Sequence, residues 1–157
     1  VREVMRAAVA AGHFLAFVDG CDGFDPASVE ELVLRRMLWV RARTADEAVK
    51  AADLLLRDGN LPLVLLQLRG LPLKSLRRIP SQHWYRLQRL AKESGTACLI
   101  VTPAPMIPCA RKRWAVNGDF TLDDVERDIS EVLPRLRVEL RSRTGTRQAP
   151  GISAEAV

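Results

Sequence analysis

The sequence lacks four features, each of which would have pointed to a definite class of protein. No G-x-x-x-x-G-K-[ST] motif occurs, so the chain carries no phosphate-binding loop of that type. No run of about 18 uninterrupted apolar residues occurs, and no signal-peptide pattern opens the chain. The three cysteines, Cys21, Cys98 and Cys109, form no C-x-x-C pair. We therefore expect a cytoplasmic protein with reduced thiols, without a disulfide framework, a zinc site or a membrane segment.

The composition is that of an ordinary globular domain. Of the 157 residues, 48% are hydrophobic and 27% are charged, which suffices for one domain with a sizeable core. The formal net charge of +5 permits contact with nucleic acid or with an acidic protein surface, but establishes neither. His13 and His83 have no cysteine or second histidine nearby in the sequence, so we interpret both as structural and expect no metal or cofactor.

One apolar run organises the rest of the chain. Residues 61–66 are almost entirely Leu and Val, and such a run without polar alternation is typical of a strand buried on both faces of a parallel sheet. The run ends at Gln67, where a nucleotide-hydrolysing fold would place an acidic residue to hold Mg²⁺. An amide carries no charge for that purpose.

Strand and helix patterns alternate on both sides of this run. Strands are predicted at 14–18, 37–42, 61–66, 96–101, 112–116 and 135–141, and helices at 2–11, 26–36, 45–58, 81–94 and 122–132. This alternation predicts an α/β fold of three layers with a mostly parallel central sheet. We expect one domain over 1–141, an edge strand near its C-terminus, and a disordered tail over 142–157.

Three stretches, in order, resemble the core of RecA-type recombinases. FVDGCDGFDP is similar to that family's strand and loop, ADEAVKAADLLLRDGNLPLVLLQL to its next helix and strand, and RLQRLAKESGTACLIVTP to its helix and nucleotide-sensing strand. The resemblance spans about 2–108 and implies a RecA-like fold. The family's catalytic glutamate, Mg²⁺-linked aspartate and sensing glutamine match Cys21, Gln67 and Pro103. With Asp19 these are degenerate nucleotide-site positions, and we expect no ATP hydrolysis and no enzyme.

Four stretches, DPASVEEL, MLWVRA, DLLLRDGNLPLVLLQL and IPSQHWYRLQRLA, are similar to the ImuA family of SOS-induced accessory proteins. That resemblance implies a role in translesion DNA synthesis and DNA repair after DNA damage. It also implies protein partners, namely RecA and an ImuB-like polymerase homologue. A SulA-like inhibitor of cell division is one alternative. A RecA-like ATPase whose phosphate-binding loop lies upstream of this chain is another.

Basic residues form two candidate surfaces for a protein partner or nucleic acid. The first is Lys74, Arg77, Arg78, Arg86, Arg89 and Lys92, and the second is Arg111, Lys112, Arg113, Arg137 and Arg141. Trp84 and Tyr85 are available for stacking beside the first surface. The competing interpretation is a solvated helix face with Trp84 in the core.

Two further patterns also have structural interpretations. Asp19, Asp22 and Asp25 are either a remnant of a metal or nucleotide site or ordinary turn and cap residues. Trp39 and Trp114 follow strand patterns, so we expect both in the core.

Overall fold

A computed structural model describes residues 1–142 and 145–148 of the chain. The chain divides into two compact units, Val1–Cys109 and Ala110–Val157. The first holds a four-stranded parallel sheet and the second a smaller antiparallel sheet. Within the part of the chain that the structure describes, no helix has both the length and the apolar character needed to cross a membrane.

Helices and strands alternate along the first unit, as the apolar patterns predict. In chain order they are α1 (Arg2–Ala10), β1 (Leu15–Asp19), α2 (Glu31–Arg35), β2 (Met37–Arg41), α3 (Ala45–Asp58), β3 (Leu63–Gln67), α4 (Leu73–Arg77), α5 (Ser81–Ser94) and β4 (Ala97–Val101). The α/β fold class is confirmed.

The predicted helix over 26–36 is divided in two. Asp25 accepts a hydrogen bond from the Ala27 N–H at 3.0 Å and caps a short 3-10 turn, Pro26–Ser28. Val29 and Glu30 are extended, so the α-helix begins only at Glu31. Residues 69–78, over which no helix or strand is predicted, contain the short helix α4, which lies between Pro72 and Pro80.

The strands of the first sheet lie in the order β2-β1-β3-β4, and all neighbours are parallel. Parallel neighbours need crossover connections, which the helices supply. One face of the sheet packs Leu15, Phe17 and Leu65 against Met5 and Val9 of α1 and Val33 of α2. The other face is covered by α3 and α5, which contact each other and the strands. This arrangement is the predicted three-layer architecture.

The core is deepest around β1 and β3, the two central strands. Every residue of β1 is buried, and Val64, Leu65 and Leu66 of β3 are at most 1% exposed. The unbroken apolar run of the sequence is therefore explained by helices on both faces of β3.

The second unit is built around an antiparallel sheet. Its elements are β5 (Arg113–Asn117), a 3-10 turn (Leu122–Val125), α6 (Ile129–Val132), a second 3-10 turn (Leu133–Arg135), β6 (Arg137–Ser142) and β7 (Gly145–Gln148). The predicted helix over 122–132 is therefore present only as short pieces. The buried Asp124 carboxylate accepts hydrogen bonds from Thr121 and Arg135, and these bonds hold the first of those pieces as a tight turn.

The predicted C-terminal edge strand corresponds to β6. It pairs with β5 on one side and β7 on the other, so it lies in the middle of this second sheet. The segment 142–157, which we predict as a disordered tail, contributes the last residue of β6 and all of β7. Residues 143–144 and 149–157 lie outside the described part of the chain.

Candidate functional site

The carboxyl edge of the parallel sheet brings together the positions that the RecA resemblance marks as a degenerate nucleotide site. Asp19 ends β1 and is the register partner of both Gln67, at the end of β3, and Arg41, at the end of β2. Pro103 lies two residues beyond Val101, which is the register partner of Gln67. In open α/β sheets this edge is where ligands bind.

The Asp19 carboxylate accepts hydrogen bonds from backbone N–H groups of the loop that follows β1. Its side chain is buried, with 1% of the residue exposed. One oxygen accepts the Phe24 N–H at 2.8 Å, and the other accepts the Cys21 N–H at 3.3 Å and the Cys21 thiol at 3.5 Å. Asp19 therefore holds the loop after β1 in place, and its oxygens are engaged by protein donors.

Cys21 lies at the position that the RecA resemblance assigns to a catalytic glutamate. Burial raises the pKa of the Cys21 thiol above its ordinary value, and the neighbouring Asp19 carboxylate raises it further. The sulfur of this partly buried residue lies against Gly70, where an added Cβ would be 2.7 Å from it. A neutral thiol cannot take a proton from an attacking water, so no general base stands at this position.

Gln67 lies at the position that the RecA resemblance assigns to a Mg²⁺-linked aspartate. The Gln67 side-chain oxygen is buried and has no hydrogen-bond partner among the described residues. The Gln67 backbone carbonyl accepts the Gly20 N–H at 2.9 Å, and a Cβ at Gly20 would lie 2.7 Å from that oxygen. The loop after β1 therefore passes directly against the end of β3, and only glycine fits at this approach.

The rest of this loop is fixed by an ion pair and a ring cluster. Arg41 binds both Asp22 oxygens, at 2.5 and 2.9 Å, and this contact lowers the pKa of the Asp22 carboxyl. The Arg41 guanidinium lies 5.3 Å from the centre of the Trp39 ring. Phe24 packs its ring against Phe17 and Trp39, with centroids 4.9 and 5.3 Å apart.

The acidic cluster predicted over Asp19, Asp22 and Asp25 therefore has structural roles at all three positions. Asp19 binds loop N–H groups, Asp22 pairs with Arg41, and Asp25 caps a turn. Among the described residues, no group of three or more His, Cys, Asp or Glu side chains is placed to hold a metal ion.

The first basic surface lies on α4 and α5. Lys74, Arg77 and Arg78 are exposed at and just after α4, and Arg86, Arg89 and Lys92 are exposed on α5. Trp84 is 3% exposed and belongs to the core, whereas Tyr85 is 54% exposed. The structural interpretation of Trp84 is thus confirmed, and Tyr85 is the aromatic ring on this surface.

Two of these arginines are tied to carboxylates. Arg86 binds Asp53 of α3, and Arg89 pairs with Glu93 at 3.7 Å. Asp53 also binds Arg57 at 2.8 Å, so one carboxylate links two guanidinium groups across the helix pair. Sequence reasoning missed Asp53 because its contact with Arg86 joins residues 33 positions apart.

The second basic surface lies in the second unit. Arg111 and Lys112 are exposed just before β5, and Arg113 faces Arg141 across the β5–β6 ladder. Arg137 faces Asn117 in the same ladder and shares the sheet face of Arg113 and Arg141, because side chains alternate along each strand. The opposite face carries Trp114, which is 48% exposed. In the described part of the chain Trp114 is therefore a surface residue, and the expectation that it lies in the core is wrong.

Two comparisons with known proteins were made. No family model matches the chain, and no curated protein matches it. The likeness to RecA-type proteins therefore rests on the motifs of the chain itself, and a function has to be argued from those motifs and from the geometry of the two surfaces and the sheet edge.

Proposed function

We propose that the chain is a non-catalytic RecA-like accessory protein that acts by binding protein partners in bacterial SOS mutagenesis and translesion DNA synthesis. The observation that supports this most is the Asp19 carboxylate, which is buried and engaged by Phe24 and Cys21. A carboxylate in that state belongs to a loop anchor, whereas a nucleotide site needs oxygens directed at a metal or water.

The chemistry of ATP hydrolysis supports the same assignment. Phosphoryl transfer is catalysed by positioned charges, a metal held by carboxylates and a group that orients or deprotonates water. At the matching positions this chain has a thiol with a raised pKa, Cys21, and an uncharged amide, Gln67. Neither supplies the charge that the reaction requires.

The partners we propose are RecA and an ImuB-like polymerase homologue, in the cytoplasm. Presenting a RecA-like surface without ATP chemistry would let the chain compete at contacts between RecA protomers or connect a polymerase complex to damaged DNA. The exposed basic surface of α4 and α5 adds a DNA contact as a second, subordinate part of this proposal.

The test is a titration of purified RecA with this chain, with and without single-stranded DNA, while RecA filaments and RecA ATPase activity are followed. Saturable binding with loss of filaments or of ATPase activity is expected. Normal filament growth at about 100 µM chain would contradict binding to RecA. An ImuB-like partner would then be titrated in the same way.

Two other outcomes would replace this proposal. Mg²⁺-dependent ATP hydrolysis by the complete protein would favour the ATPase alternative, and inhibition of a cell-division polymer would favour the SulA-like one. Direct DNA binding would instead be recognised by a steep salt dependence, because binding to phosphates releases counterions.

A further inference from the structure

The outer surface between α3 and α5 contains a groove that the sheet-edge site does not use. Its floor is apolar, formed by Val49, Leu54 and Leu87, and its volume is about 450 Å³. A second groove of about 750 Å³ along α5 shares His83 and Arg86 with it. We call the first groove, which is lined by residues of both helices, the α3–α5 groove.

Leu54 is the unusual residue of this groove. It is 65% exposed on α3, although the buried residues of that helix form a separate stripe against the sheet. Tyr85, which lines the second groove, is 54% exposed. An exposed aliphatic side chain beside an apolar floor is suited to contact a bulky apolar side chain.

The rim of the groove is positively charged and pre-arranged. Asp53, with 15% of its side chain exposed, is bound by Arg57 at 2.8 Å and also by Arg86. Each guanidinium carries five N–H donors, so both keep donors for a further acceptor. Lys50 adds a third cation to the lining of the groove.

The apolar floor and the cationic rim together distinguish between classes of partner. The phosphates of a nucleic acid could pair with the rim but gain nothing from the apolar floor. A peptide can match both features at once, because its carboxylates reach Lys50, Arg57 and Arg86 on the rim while an apolar side chain enters between Leu54 and Leu87.

We propose that the α3–α5 groove binds an acidic peptide segment of a partner protein that carries one bulky apolar residue. This inference deepens the proposed accessory function and rests on it for the identity of the partner. The binding chemistry itself depends only on the groove.

The test uses the full chain and a fluorescently labelled peptide rich in Asp and Glu with one central Phe. Two control peptides replace Phe by Ser, or the acidic residues by Lys. The matched variants are Leu54→Glu and Leu32→Glu, because Leu32 on α2 is 59% exposed and lies outside the groove. Both positions are exposed, so both variants are expected to fold.

We expect the acidic Phe peptide to bind, and Leu54→Glu to weaken it by about tenfold or more while Leu32→Glu leaves it unchanged. Both control peptides should bind more weakly. Equal binding to the two variants, or no binding to the wild-type chain at about 1 mM peptide, would overturn the inference. Displacement of the peptide by a single-stranded oligonucleotide, with stronger binding of the oligonucleotide, would assign the groove to nucleic acid and also overturn it.

The same variants separate this inference from the proposed function. Peptide binding without RecA or polymerase binding would leave the groove assigned and refute the partners. If Leu54→Glu abolishes peptide binding but RecA still binds, the proposed function and the groove inference both stand, and the RecA contact lies outside the groove. RecA binding without any peptide binding would refute the groove alone.

Discussion

The two units of the chain use their apolar residues differently. In the first, residues of the central strands are buried on both faces, with Leu15 and Leu66 at 0% exposure. In the second, Trp114 and Val116 of β5 are 48% and 59% exposed, and a charged side chain, Asp124, is buried. One unit is organised by apolar burial, and the other by strand pairing and a polar turn.

This difference shows what each sheet needs. A parallel sheet depends on helices covering both faces, so its stability follows from area removed from water. A small antiparallel sheet with an exposed apolar face has little burial to support it and is marginal by itself. The Asp124 carboxylate, with bonds from Thr121 at 2.8 Å and Arg135 at 2.5 Å, is the best-connected feature of the second unit.

The strongest test of this comparison is Leu65→Ala in β3. Leu65 is 1% exposed within the core cluster, so its truncation should lower the free energy of unfolding by about 2–5 kcal/mol. Leu122→Ala, in the second unit, is the control, because Leu122 is 89% exposed and its loss should stay within about 0.5 kcal/mol. Urea unfolding of both variants measures this, and similar losses would show that the two units are not stabilised differently.

A smaller effect is expected at the sheet edge. Asp19→Ala removes the acceptor of the Phe24 and Cys21 N–H groups and should cost about 1–3 kcal/mol. Asp22→Asn, which breaks only the exposed pair with Arg41, should cost less. Hydrogen exchange at the Phe24 amide should accelerate in Asp19→Ala and stay near the wild-type rate in Asp22→Asn. Unchanged exchange in both variants would mean that Asp19 does not anchor the loop, and would reopen it as a candidate ligand.

The first unit could be predicted well from its sequence because its signals are local. The unbroken run before Gln67 identified β3, and the local pair of Thr44 and Glu47 caps α3, because the Thr44 hydroxyl accepts the Glu47 N–H at 3.2 Å. The order of the RecA-like motifs singled out Asp19, Cys21 and Gln67. The parallel register of β1 and β3 then places Asp19 beside Gln67.

The features that the sequence did not reveal depend on contacts between distant elements. Nothing in α3 alone indicates that Asp53 binds Arg86 of α5 or that Leu54 borders a groove. Trp114 was misassigned because strand alternation marks a face of the sheet but does not tell whether another layer covers it. The pairing of β6 with β7 was likewise not predicted, because it depends on where both strands lie in the structure.

The smallest expected effect concerns pH and the polar turn of the second unit. The Thr121 N–H, with help from Arg135 and the Thr121 hydroxyl, holds the pKa of the Asp124 carboxyl below its usual value. Because the folded pKa is the lower one, this stabilisation is complete above the ordinary aspartate pKa of about 3.9 and is lost as pH falls through the folded pKa.

The wild-type chain should lose stability below about pH 4, and the Asp124→Asn variant should lose less because it lacks this carboxyl. The Asp123→Asn variant, changed at the exposed neighbouring carboxyl, should lose as much as the wild type. The measurement is hydrogen exchange over the Leu122–Val125 turn as a function of pH, normalised to the intrinsic rate at each pH. The same acid dependence in wild type and Asp124→Asn would mean that another carboxyl controls this turn. A loss confined to the turn, with exchange in β1 and β3 unaffected, would show that the two units respond to acid independently, as expected if one rests on apolar burial and the other on a polar network.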